Sequence, residues 1–154
     1  VIAPDPQAAP VLRPRWFGLD RLLPSSPPRL AAWVARTDDM AGTTVAELGE
    51  VETMRRESHV WRMTLRPDGS LPLDGAAPLL IQRASNVSPA AALPQSGLIL
   101  RRLRIRHPAP ARVLALFAAI DLEPHPTVAV EQGSVCSLVA EIETPCGPRQ
   151  LGQA

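Results

Sequence analysis

Proline constrains this chain more than any other residue. Eighteen of its 154 residues are proline, more than twice the usual share of about 5%. A proline ring can neither donate to a sheet ladder nor continue a helix, so regular structure has to fit between prolines. They are dense near the N-terminus. Pro4-Asp5-Pro6 opens a Pro/Ala-rich connector that lasts to Pro14, and Leu22-Leu23-Pro24-Ser25-Ser26-Pro27-Pro28 reads as loop. Trp16 and Phe17 lie between the two and would tack this loop onto a core.

The remainder reads as two successive strand-helix-strand units. Residues 30–36 form the first strand, Leu30-Ala31-Ala32-Trp33-Val34-Ala35-Arg36. Thr37-Asp38-Asp39 supply N-cap types and acidic groups for a helix over 40–48, ended by Gly49. Gly42, Thr43, Thr44 and Val45 weaken that helix. Short strands follow over 51–54 and 59–66. The second alternates, with His59, Trp61, Met63 and Leu65 on one face and Val60, Arg62, Thr64 and Arg66 on the other. Pro67-Asp68-Gly69-Ser70 is a turn signal, and residues 78–83 make a further strand. The order is β-α-β-β-β.

Residues 84–97 are a loop carrying Pro89 and Pro94. Residues 98–106 alternate again, Ile99, Arg101, Leu103 and Ile105 against Leu98, Leu100, Arg102, Arg104 and Arg106. Residues 108–122 carry the best helical stripe, Val113, Leu114, Leu116, Phe117 and Ile120. Pro110 falls in its first turn, where a missing N–H costs little. Strands over 127–130 and 137–143 flank a turn at Gly133. The expected organisation is a connector and loop at 1–29, a βαβββ module with its connecting loop at 30–97, and a second, incomplete βαββ module at 98–154. The pattern predicts an α+β domain, with helices on one side of curved, mixed sheets.

Composition excludes several classes. No apolar run approaches the ~20 residues of a membrane span. The formal net charge is +1, too balanced for binding nucleic acid by phosphate neutralisation. All 16 basic residues are Arg, and Tyr is absent, so neither a Schiff-base lysine nor a tyrosine acid is available. Cys136 and Cys146 are too few for a disulfide framework, and no signal-peptide pattern is read, so a reducing, cytoplasmic compartment is expected. Val1-Ile2-Ala3 reads like the end of a strand. It fits either a trimmed terminus or the tail of an upstream unit.

Several phrases, in order, carry a family resemblance. They are Arg13-Pro14-Arg15-Trp16-Phe17-Gly18-Leu19-Asp20, Trp33-Val34-Ala35-Arg36-Thr37-Asp38-Asp39, Val60-Trp61-Arg62-Met63 and Leu71-Pro72-Leu73-Asp74-Gly75. They continue with Pro78-Leu79-Leu80-Ile81-Gln82, Pro89-Ala90-Ala91, Arg104-Ile105-Arg106-His107-Pro108 and Glu141-Ile142-Glu143-Thr144-Pro145-Cys146-Gly147. Together they resemble the glyoxalase-like proteins of the vicinal oxygen chelate superfamily. The resemblance implies paired βαβββ modules around a cleft, and an upstream module whose last strand would end at Val1-Ile2-Ala3. In metal-dependent members each module gives a His from its first strand and a Glu from its last, and the cation polarises vicinal oxygens of the substrate.

Matched to that pattern, Ala32 stands at the His position and Gln82 at the Glu position. Arg101 stands at the His position of the second unit. Alanine cannot ligate, Gln is a weak neutral donor, and a guanidinium repels a cation. Ser88-Pro89-Ala90 is similar to a His-Pro-Ala phrase with the His lost. No metal and no other cofactor is therefore expected. If Ala32 and Gln82 face the cleft, alternation sends Val34, Arg36 and Leu80 there as well, and the matched phrase adds Arg62.

The cleft candidates are therefore Ala32, Val34, Arg36, Arg62, Leu80, Gln82 and Arg101, suited to a small anionic or carbonyl ligand. The expected function is small-molecule binding without metal. The alternative is a metal-dependent lyase or isomerase of a small carbonyl compound, with ligands completed by the upstream module. The expected assembly is a homodimer, or packing against that module, because a lone curled sheet leaves an apolar face uncovered.

Other residues read as structural. His59 reads as a strand-end residue, His107 as a connection and His125 as part of a proline loop. Cys136 and Cys146 read as inert thiols. Arg102, Arg104 and Arg106 read as a solvated strand face paired with Glu141 and Glu143, not as a nucleic-acid stripe.

Overall fold

The computed structural model describes residues 2–5, 7, 12–23, 25–43, 45–57, 59–83, 94, 96–123 and 125–152. Val1 and Ser88-Pro89-Ala90 lie outside the described residues. Two mixed four-stranded sheets make up the fold. The first contains β1 (Val34–Arg36), β2 (Glu50–Arg56), β3 (His59–Leu65) and β4 (Leu79–Arg83). Its spatial order is β1-β4-β3-β2, with β1 parallel to β4 and the other pairs antiparallel. Helix α1 (Met40–Thr43) connects β1 to β2. This is the βαβββ module expected from the alternation.

The second sheet contains β5 (Ile99–His107), β6 (Val128–Gln132), β7 (Ser137–Glu143) and β8 (Arg149–Leu151), and helix α2 (Pro110–Ala119) joins β5 to β6. Its order is β6-β5-β7-β8. The expected incomplete βαββ unit thus has a fifth element, β8. It also does not repeat the first module in space, because its opening strand lies inside the sheet rather than at an edge. β6 pairs in parallel along β5 from Leu103 to His107, and β7 takes the other side.

Two elements are shorter than their sequence pattern predicts. The first strand is confined to Val34–Arg36, because residues 30–33 turn away to serve the second sheet. Leu30 and Trp33 pack there, and Trp33 donates its indole N–H to Ala76 O at 3.1 Å. Gly75, at φ +98, permits this approach, since a Cβ there would strike Ala31 O. The first helix ends at Thr43, and a separate 3₁₀ turn covers Ala46–Leu48. The Thr43 hydroxyl donates to Asp39 O, and Val45 is extended, as expected of residues that compete with or resist a helix.

The core is arranged around α2. Val113 and Phe117 pack into the second sheet with Leu103, Ile105, Leu138 and Ala140. Leu116 and Ile120 pack against the first module with Met40, Leu48 and Leu80. Trp33 meets Phe117 edge to face at 5.7 Å within the second-sheet cluster, and Leu73 and Leu122 pack against both clusters. Helix α2 thus lays one face on apolar residues of both modules and leaves its other face exposed, as expected of helices outside the sheets. Leu114, placed on the stripe by spacing, is 52% exposed. Among the described residues, no helix is long and apolar enough to cross a membrane.

Candidate functional site

Strand register decides which side chains share a face. Val34 lies opposite Leu79, Ala35 opposite Leu80 and Arg36 opposite Ile81. Across the next pair, Trp61 meets Arg83, Arg62 meets Gln82 and Met63 meets Ile81. One face of the first sheet therefore carries Ala35, Leu80, Gln82, Arg62 and Thr64. Leu80 is buried there with Met40 and Leu48, so this is the helix-covered face. The other carries Val34, Arg36, Leu79, Ile81, Arg83, Met63 and Trp61. It bears no α-helix, and the 3₁₀ segment Trp16–Arg21 lays Trp16 and Phe17 over its apolar part. The expectation that Trp16 and Phe17 tack the N-terminal loop to the core is met, with Gly18 N–H donating to Gly69 O at 2.8 Å.

The seven cleft candidates do not come together. Val34 and Arg36 lie on the helix-free face, Leu80, Gln82 and Arg62 on the covered face, and Ala32 precedes the strand. Arg101 is exposed on β5, beside the register shift between Leu100 and Arg102. Alternation within each strand is as expected. The relation between strands is offset by one residue, which reverses the face.

Gln82 has a structural use. Its Oε1 accepts from Arg62 Nη1 at 3.0 Å, and its Nε2 donates to Asp38 O at 2.6 Å. The amide thus clips β4 to β3 and to the loop before α1. Such a group does not fit a divalent cation. Its oxygen already faces a guanidinium, Ala32 offers no donor, and Asp38 is drawn to Arg36 at 2.9 Å. Among the described residues, no three His, Cys, Asp or Glu side chains form a group able to hold a metal ion.

The helix-free face has a different chemistry. Met63 and Ile81 form an apolar floor, each 9% exposed. Trp61 and Arg83 form the adjoining cross-strand pair on the same face, and Arg36, ion-paired to Asp38, flanks them from β1. Sequence reasoning missed Trp61 and Arg83, although Trp61 was assigned its correct strand face. Only the β3–β4 register could have added Arg83.

Ionised groups secure the edge of this face. Arg13 reaches both oxygens of Glu52, at 3.0 and 2.9 Å, and stacks over Trp16 at 4.7 Å. The Arg15 backbone N–H, with the Arg15 guanidinium, holds the Asp20 carboxyl below the usual range. Ser70, through its hydroxyl and N–H, does the same for Asp68 in the turn beneath the strap.

The remaining candidates are structural. His107 is buried, and its Nδ1 accepts from Ala109 N–H at 3.0 Å. His125 Nδ1 accepts from Thr127 N–H at 3.2 Å. Burial pushes the Cys136 thiol up, with the nearby Asp74 charge adding to it, which disfavours the reactive thiolate. On the second sheet Arg104 pairs with Glu141 at 3.1 Å and Arg106 with Glu131 at 3.5 Å. Two of the row's arginines are thus ion-paired, Arg104 to the expected Glu141 and Arg106 to Glu131 instead.

Comparison with known proteins adds one match. A family model described as a glyoxalase-like domain matches residues 1–120. It spans the first sheet, β5 and α2, and stops before β6. No curated protein and no solved structure matches the chain.

Proposed function

The chain belongs to the glyoxalase-like domain family of the vicinal oxygen chelate superfamily, and on that premise we propose that it binds a small anionic or carbonyl compound without a metal ion held by its own residues. The binding surface is the helix-free face of the first sheet. One observation carries this reading: the positions matched to metal ligands are Ala32 and a Gln82 whose amide is already bonded at both ends. The family's cation chemistry finds no donor set among the described residues, whereas Arg83 supplies positive charge beside an apolar floor.

A guanidinium in a half-sheltered place favours a carboxylate or polarised carbonyl over a cation. The metal-dependent lyase reading draws no support from these residues. Pairing of two copies, or packing on an upstream module, belongs to the same proposal and would shelter the exposed Val34. A cytoplasmic location is proposed on the cysteine usage.

A thermal-shift panel on chelator-treated protein tests the proposal. Small carboxylic acids and ketones are compared with neutral analogues and cations. Acids are expected to raise the melting temperature most, with no gain from added zinc or manganese. Equal shifts for all classes, or shifts that appear only with metal, would sink it.

A further inference from the structure

We propose that Trp61 and Arg83 together hold the carboxylate of an organic acid. The inference rests on the small-molecule reading of the helix-free face and narrows it to one ligand class and one pair of residues. The two side chains are directly opposed across β3 and β4, a placement that brings Cβ atoms to about 4.5–5.5 Å.

Trp61 Nε1 is shut off from solvent and has no hydrogen-bond partner among the described residues. Native structures rarely leave a shielded donor unpaired, and doing so is costly. Trp33 shows the ordinary outcome, since its indole N–H finds Ala76 O. The Arg83 side chain is half-buried and makes no hydrogen bond or ion pair to a described residue. On its other side Trp61 faces Met54 across β2 and β3. The row Met54, Trp61, Arg83 therefore contains two sets of donors and no acceptor. The nearest acid on this face, Glu52 opposite Met63, is already engaged by Arg13.

What the row lacks is an acceptor-only group with more than one oxygen. A carboxylate fits, with one oxygen for the indole N–H and both within reach of a planar guanidinium. A ketone or amide brings a single acceptor oxygen and no charge. The adjoining Met63 and Ile81 call for an apolar body on the acid, in van der Waals reach of the floor.

The test uses 4-methylpentanoate and, as its neutral counterpart, 4-methylpentanamide. The protein has three tryptophans, so the indole N–H region of a proton–nitrogen spectrum holds three signals, and Trp61→Phe identifies one of them. The acid is expected to move the Trp61 signal downfield and leave that of Trp33 in place, while the amide moves neither. Trp61→Phe and Arg83→Gln should each weaken acid binding about tenfold or more, the scale of a lost charge-assisted bond.

The indole shift is read in the unaltered protein, so it does not depend on the variants folding. If the acid moves β3 and β4 backbone signals while the Trp61 indole stays still and both variants bind as before, this inference falls and the reading of the face stands. If neither probe moves any signal on the face, both fall.

Discussion

Removing the Thr64 hydroxyl should loosen the first sheet at one identifiable bond. The ladder between β3 and β4 stops at the Met63–Ile81 pair. The next N–H, that of Leu80, is taken instead by Thr64 Oγ1 at 2.9 Å, and Thr64 is fully buried. Thr64→Val keeps the shape and deletes only the acceptor, leaving a buried N–H unpaired. That costs about 1–3 kcal/mol. For a chain of this length each kcal/mol lowers the melting temperature by roughly 2–4 °C, so a fall of roughly 2–12 °C is expected. Thr64→Ser removes a buried methyl, worth about 1 kcal/mol, but keeps the hydroxyl. The decisive readout is amide hydrogen exchange at Leu80. Protection should drop selectively in Thr64→Val and persist in Thr64→Ser. Unchanged protection and stability in Thr64→Val would refute the idea that this hydroxyl completes the sheet.

Three further outcomes are expected. Leu116→Ala, facing the first module, and Phe117→Ala, facing the second sheet, should cost about 2–5 and 3–5 kcal/mol. Each should still give one cooperative unfolding transition by circular dichroism, because α2 serves both sheets; two separated transitions would contradict a shared core. The fold lowers the pKa of Asp20 and Asp68 from the ordinary 3.8, so their contribution is complete above that value and is lost as pH falls through the lowered folded values. Urea midpoints should therefore be insensitive to these two groups between pH 5 and 8 and decline below about 3.8, with a shallower acid decline in Asp20→Asn/Asp68→Asn. Gln82→Glu restores a carboxylate at the position matched to the family's ligand, yet should gain no manganese affinity by calorimetry, because it lies on the helix-covered face beside Arg62; micromolar binding would show that a metal site can be rebuilt there.

Much of the architecture was legible from local pattern. The long alternation around Leu103 and Ile105 placed β5 to within a residue, and Val113, Leu116, Phe117 and Ile120 placed α2. These signals are periodic and need no knowledge of partners. What escaped was set by distant pairing. Nothing near Val34 indicates that it meets Leu79 rather than Leu80. That choice is made by bonds such as Leu79 N–H to Trp33 O and Thr37 N–H to Ile81 O, and a shift of one residue exchanges the faces. The candidate set consequently mixed Arg36 with Leu80 and omitted Arg83. The second sheet's order escaped for a similar reason: β8 is only three residues long, too short for a period. That α2 touches both modules was also hidden, since a stripe states which residues are buried but not against what.

The central claim is that a small acid binds the helix-free face of the first sheet without a metal. Intermolecular nuclear Overhauser effects between 4-methylpentanoate and the methyl groups of the chelator-treated protein test it most directly. The account predicts cross-peaks from the acid to Met63 and Ile81, and none to Leu80 or Leu116, which pack on the helix-covered side. Cross-peaks confined to Leu80 and Leu116, or binding that returns only when a divalent ion is restored, would contradict it.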